Sequence, residues 1–121
     1  MTGPDPYQGV VLTVTDVTYP VRVVEADSPV LLAFTTYQDH MCQTLRPILS
    51  NIAREYGGRL TVATLDVATS PVTAQAWGIS QVPVMVILHR GVLQRVLLGI
   101  RPHARLAKEI DEVLEKLSKT P

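Results

Sequence analysis

Short β-branched and apolar runs alternate along this chain with stretches whose apolar residues recur at helical spacing. Val10-Val11-Leu12-Thr13-Val14 is the first such run and predicts a strand. Thr15, Asp16 and Thr18 follow as candidate helix caps. Pro20 falls within the first turn from any of them, or just past it, where a proline is best tolerated. Val17, Val21 and Val24, with Val23 beside them, give this helix a modest apolar face, and Ser28-Pro29 breaks it.

Val30-Leu31-Leu32-Ala33-Phe34 shows no polar alternation, the pattern of a central strand covered on both faces. Met41, Leu45, Ile48, Leu49, Ile52, Ala53 and Tyr56 then recur at helical spacing over about four turns, and Gly57-Gly58 ends the helix. Pro47 lies inside it and must kink it or remove one hydrogen bond, at about 3 kcal/mol unless packing compensates. Leu60 to Val67 is the next strand. Ser70-Pro71 reads as a cap with proline at the first helical position, opening a short helix to Trp77. Val84–Leu88 and Leu93–Leu98 flank His89-Arg90-Gly91-Val92, a hairpin-like connection. The last helix sets Leu106, Ile110, Val113, Leu114 and Leu117 on one face and mostly charged residues on the other.

The resulting order, βαβαβαββα, predicts an α/β protein with a mixed sheet and helices on both sides. Residues 1–9, with Gly3, Pro4, Pro6 and Gly9, read as an irregular arm, 10–118 as one domain and 119–121 as a tail. Neither internal repeats nor a linker interrupt the pattern.

Composition narrows the function classes. Of 121 residues, 46% are apolar, which argues for a globular chain. Eleven acidic and eleven basic residues cancel, leaving no net field to steer nucleic acid or an anionic membrane. Met1 to Gln8 has neither the basic nor the apolar region of a secretory signal, and no apolar stretch approaches the roughly 20 residues of a spanning helix. The expectation is a cytoplasmic, soluble domain. Cys42 is the sole cysteine, which excludes an intramolecular disulfide and any multi-cysteine metal site within the chain.

Several local sequences then resemble thioredoxin, from about Val10 to Leu117. Val30–Phe34 resembles the strand that leads to the family's redox motif. Arg46-Pro47-Ile48-Leu49, with Ile52-Ala53 and Glu55-Tyr56, resembles its motif helix. Leu60-Thr61-Val62-Ala63 through Leu65-Asp66 is similar to its third strand. Ala76-Trp77-Gly78-Ile79 and Gln81-Val82-Pro83 resemble the segment holding the family's cis-proline, which the resemblance assigns to Pro83. Gly91 and Gly99 fall at glycine positions of its closing hairpin. The resemblance implies a thioredoxin fold.

The departure lies at the motif. Where the family has Trp-Cys-Gly-Pro-Cys, this chain has Gln38, Asp39, His40, Met41 and Cys42. The attacking cysteine is replaced by Asp39 and the resolving one survives as Cys42. The family's buried carboxylate aligns with Ala33 and its lysine neighbour with Thr64. Disulfide reduction needs a thiolate to attack and a second thiol to resolve, so dithiol chemistry is not expected. Asp39 instead suits a helix N-cap, and its charge pushes Cys42 toward the neutral thiol.

Two readings of Cys42 follow: a small, partly buried hydrophobe, or the reactive group of a monothiol oxidoreductase or thiol sensor that forms mixed disulfides. Adjacent helical positions diverge, so His40, Met41 and Cys42 do not converge on a metal; His89 and His103 read as solvated surface residues, and Trp77 as a core or near-core residue. No metal and no cofactor are expected. The resemblance also implies a groove beside Pro83 where an extended segment pairs with backbone. The expectation is a non-catalytic protein, holdase-like or an accessory subunit, that binds a polypeptide through Gln38–Cys42, Val82, Pro83, Gly99 and Ile100. The oligomeric state and the partner's identity have no sequence signal.

Overall fold

The computed structural model describes residues 8–119. Of the expected arm only Gln8 and Gly9 fall within it, and of the expected tail only Lys119; the remainder lies outside the described residues. The elements are β1 (Val11–Val14), a π-helical turn (Pro20–Val24), β2 (Val30–Thr35), α1 (His40–Tyr56), a 3-10 turn (Gly57–Arg59), β3 (Thr61–Asp66), α2 (Pro71–Ala76), β4 (Val84–His89), β5 (Val92–Leu98) and α3 (His103–Ser118). They form a five-stranded sheet in the order β1-β3-β2-β4-β5. β1, β3 and β2 run parallel, and β4 is antiparallel to both of its neighbours.

β2 sits at the centre because its sequence allows nothing else. All five residues from Val30 to Phe34 are buried. Period-two alternation sends Leu31 and Ala33 into the core under α1 and α3, and Val30, Leu32 and Phe34 into the core on the opposite face. The first core takes Leu45, Leu49 and Ile52 from α1 and Leu106 and Ile110 from α3. The second is closed by Val23, Ala74 and Trp77. Trp77 donates its indole N–H to Tyr19 Oη at 3.0 Å, and its ring lies 6.0 Å from that of Phe34.

α1 runs unbroken through Pro47, which has no N–H to give the Gln43 carbonyl four residues back. Its end is set at Gly57, where φ is +51° and the N–H caps Ala53 O. The β4–β5 hairpin turns on Arg90 and Gly91, both at positive φ, the type I′ signature that matches strand twist. Gly91 is required twice over, since a Cβ there would stand 3.1 Å from Val24 Cγ1. Polar latches fix α3. Tyr56 Oη donates to Asp111 Oδ1 at 2.6 Å, and Arg95 pairs with Glu112 at 2.8 Å. Arg101 pairs with Glu109, and His103 pairs with Glu55.

The segment after β1 departs from expectation. It is a five-residue π-helical turn that buries Val23, while Val17 is 85% exposed and Val21 and Val24 also face solvent. So short a turn offers the sheet one side chain rather than a stripe. Thr15 and Thr18 bond each other across the turn that precedes it. Asp16 caps a different helix altogether: its carboxylate accepts the N–H groups of Val72 and Thr73 at 3.1 and 2.8 Å. Ser70, expected to cap α2, makes no such bond, and its hydroxyl instead accepts the Asp16 N–H at 3.3 Å. The proline at the start of α2 is where the sequence predicts it.

Partial desolvation raises the Asp16 carboxyl, but the Thr73 and Val72 donors outweigh it and hold the group below its ordinary value. The stability that ionised Asp16 contributes is therefore complete above the unfolded value of about 3.9 and is lost as pH falls through the lower folded value. Asp16→Asn should flatten this acid limb. Urea unfolding of both proteins from neutral pH into the acid range reads the difference, with the wild type losing more stability on acidification.

Candidate functional site

β2 delivers the chain at Thr35 to a short loop, and α1 starts immediately beyond it. Asp39 takes an extended conformation, with φ −78° and ψ 129°, and its Oδ1 accepts the Cys42 N–H at 3.0 Å. Its carbonyl accepts the Gln43 N–H at 3.0 Å. Asp39 is thus the N-cap that its chemistry predicts, occupying the helix end where a thiolate would otherwise be stabilised. His40 and Met41, in the first turn, are exposed, as is Gln38 before them.

Cys42 turns the other way and is 3% exposed. Its thiol is pushed above the ordinary cysteine value, first by burial and then by the charges of Asp39 and Asp66, against an opposing hydrogen bond with the Thr36 backbone. The sequence argument gave the right sign through Asp39. Burial is nonetheless the larger cause, because α1 seats Cys42 on the face that also buries Leu45 and Leu49. Ala33 and Thr64 are direct partners across the β2–β3 ladder, so a methyl and a hydroxyl meet behind the motif.

Four of the candidate residues line clefts. Cys42 lines one of about 220 Å³ with Arg46, Thr64 and Asp66, at the C-terminal ends of the parallel strands. Val82, Pro83 and Gly99 line another of about 540 Å³, together with Trp77, Val96 and Leu98. The Val82–Pro83 peptide is cis, and the Gly99 N–H donates to the Pro83 carbonyl at 3.1 Å, tying the end of β5 to the start of β4. Ile100 is half-buried against the α1–α3 core. His89 ends β4, and His103 opens α3 paired to Glu55 rather than standing free in solvent. Among the described residues no three His, Cys, Asp or Glu side chains gather as a metal site.

Sequence reasoning missed Val96, Leu98 and Arg46. For the first two a signal existed. Val96-Leu97-Leu98 is apolar without alternation, so an edge strand must turn at least one of them outward, and Leu98 is 71% exposed while Leu97 is buried. Arg46 has no such signal, being one more polar position on an amphipathic helix.

The thioredoxin family model matches residues 10–112. Similar proteins include the thioredoxin of Mycobacterium bovis, 30% identical over 114 residues that cover 94% of this chain and 98% of the relative. The thioredoxin of Chlorobaculum thiosulfatiphilum is 31% identical over 81% of this chain and 91% of its own length. The bifunctional thioredoxin reductase/thioredoxin of Mycobacterium leprae is 31% identical over 91% of this chain, but the match spans only 24% of that larger protein.

Asp39→Asn should keep the cap, because asparagine caps as well as aspartate, while removing the charge. The Cys42 thiol should then titrate lower than in the wild type yet still above its value in the unfolded chain, since burial persists. Ultraviolet absorbance of the thiolate against pH, folded and denatured, measures both shifts. Asp39→Ala, which loses the cap, should cost about 1 kcal/mol in urea unfolding.

Proposed function

Because this chain belongs to the thioredoxin family yet holds Asp39 at the position of the attacking cysteine, we propose that it is a non-catalytic member that binds a polypeptide partner. The observation that carries this reading is the Asp39 cap: the helix end that activates a nucleophile is occupied by a carboxylate accepting the Cys42 N–H. The binding surface is built around Pro83, Gly99 and Leu98, with Gln38 and Met41 at its margin. Support comes from the edge strand β5, which exposes Val96 and Leu98 in the lining of the cleft at Pro83. An extended segment can add to such an edge through main-chain bonds, with side-chain pockets giving specificity. The partner would be a client held unfolded or the main subunit of an enzyme, in the cytoplasm, where a lone thiol is at home.

A second reading is favoured by one observation. Cys42, although almost fully covered, borders an open cleft, so a small disulfide has a route to it. The thiolate would attack one sulfur of glutathione disulfide, form a mixed disulfide and release glutathione thiolate. The raised thiol pKa and the lack of a resolving cysteine weigh against turnover.

Two measurements separate the readings. Hydrogen exchange with a co-purified partner should show protection over residues 82–84 and 96–100, and Leu98→Glu should abolish capture while Cys42→Ala leaves it intact. Capture that survives Leu98→Glu, or is lost with Cys42→Ala, would count against a binding surface at Pro83. Incubation with glutathione disulfide followed by mass spectrometry should give no adduct on the folded chain; a stoichiometric adduct supports the monothiol.

Restoring the nucleophile with Asp39→Cys should yield at most weak insulin-disulfide reduction, because Ala33 and Thr64 supply neither a carboxylate nor an ammonium group. Activity equal to that of an ordinary thioredoxin would show that only the nucleophile had been lost.

A further inference from the structure

We infer that the cleft bordered by Cys42 is a binding site for a small zwitterion of amino-acid size, its carboxylate on Arg46 and its ammonium group on Asp66. Three parallel strands end here, at Val14, Thr35 and Asp66. Open α/β sheets bind ligands outside the carboxyl ends of their strands, where loops leave room and backbone groups are unspent. The cleft of about 220 Å³ adjoins a second of about 200 Å³, and the two share Thr13, Arg46, Leu49 and Thr64. Arg46 borders both, at the middle of a trough between α1 and the β1–β3 edge.

Five threonines line this cleft, Thr13, Thr35, Thr36, Thr64 and Thr69, none of them buried, so each presents a hydroxyl that can donate and accept. Arg46 lies over the Tyr37 ring at 4.7 Å and has no carboxylate partner among the described residues, so its edge donors stay open to a bidentate acceptor. Asp66 uses Oδ1 to accept the Ala68 N–H at 2.8 Å, which leaves Oδ2 for an ammonium group.

Charge decides the class of ligand, because one guanidinium and one carboxylate, Arg46 and Asp66, line the same cleft. A molecule carrying both charges satisfies both and offends neither. The threonine hydroxyls, which donate and accept, suit the polar rest of such a molecule. This site uses none of Val82, Pro83, Leu98 or Gly99, so it stands or falls apart from the partner surface.

The test is a titration of the ¹⁵N-labelled protein followed by amide chemical shifts. L-serine is the zwitterion, and acetate and methylammonium are its single-charge halves. With L-serine the amides of Thr13, Thr35, Thr36, Cys42 and Thr64 should shift and saturate with a Kd of about 1 mM. Acetate and methylammonium should bind about tenfold weaker or less, as each lacks one charge-assisted contact. Arg46→Gln and Asp66→Asn should each weaken L-serine about tenfold. Arg46 is exposed and asparagine can still accept the Ala68 N–H, so both variants are expected to fold; if one does not, the other decides. Leu98→Glu should leave the titration unchanged. Shifts that stay linear and unsaturated, acetate binding as tightly as L-serine, or affinity unmoved by both charge variants would overturn the site.

Discussion

The structure depends on burying β2 on both faces. Five consecutive side chains, Val30 to Phe34, leave water together, each worth roughly 1.5–3 kcal/mol when large and apolar. That demand calls for a cover on each side. α1 and α3 provide one, and α2 with the turn at Val23 provides the other. Against this, the cap at Asp39 is worth only about 1 kcal/mol. The fold therefore depends far more on the burial of β2 than on which residue stands at the head of α1.

The same covering layer controls Cys42. Its position on the buried face of α1 is fixed by Leu45 and Leu49, one and two turns on, which must reach the core. Burial raises the thiol pKa more than Asp39 does. The neutral state is thus chiefly a property of the helix orientation, with the substitution reinforcing it. At the helix end Asp39 accepts the Cys42 N–H, while Cys42 itself lines the cleft at the strand ends.

Much of this was legible from side-chain periodicity. The central strand, the long helix stopped at Gly57, the proline opening α2 and the face of α3 all follow from apolar spacing and from glycine and proline chemistry. The failures share one cause. Asp16 and Ser70 read as caps for the helices beside them, but Asp16 caps a helix more than fifty residues away and Ser70 receives its N–H in return. Local propensity names a good acceptor without naming its donor. Val17 fits a helical stripe only if the helix is long enough to have one.

β5 is an edge strand that turns Val96 and Leu98 outward at the Pro83 cleft, with Arg95 as its single charge and an irregularity in its pairing with β4 at Ile87–Leu88. The Pro83 side therefore presents main-chain donors and acceptors beside an apolar floor, the chemistry suited to an extended polypeptide. The Cys42 side presents hydroxyls, one guanidinium and one carboxylate in a smaller space, the chemistry suited to a compact polar molecule.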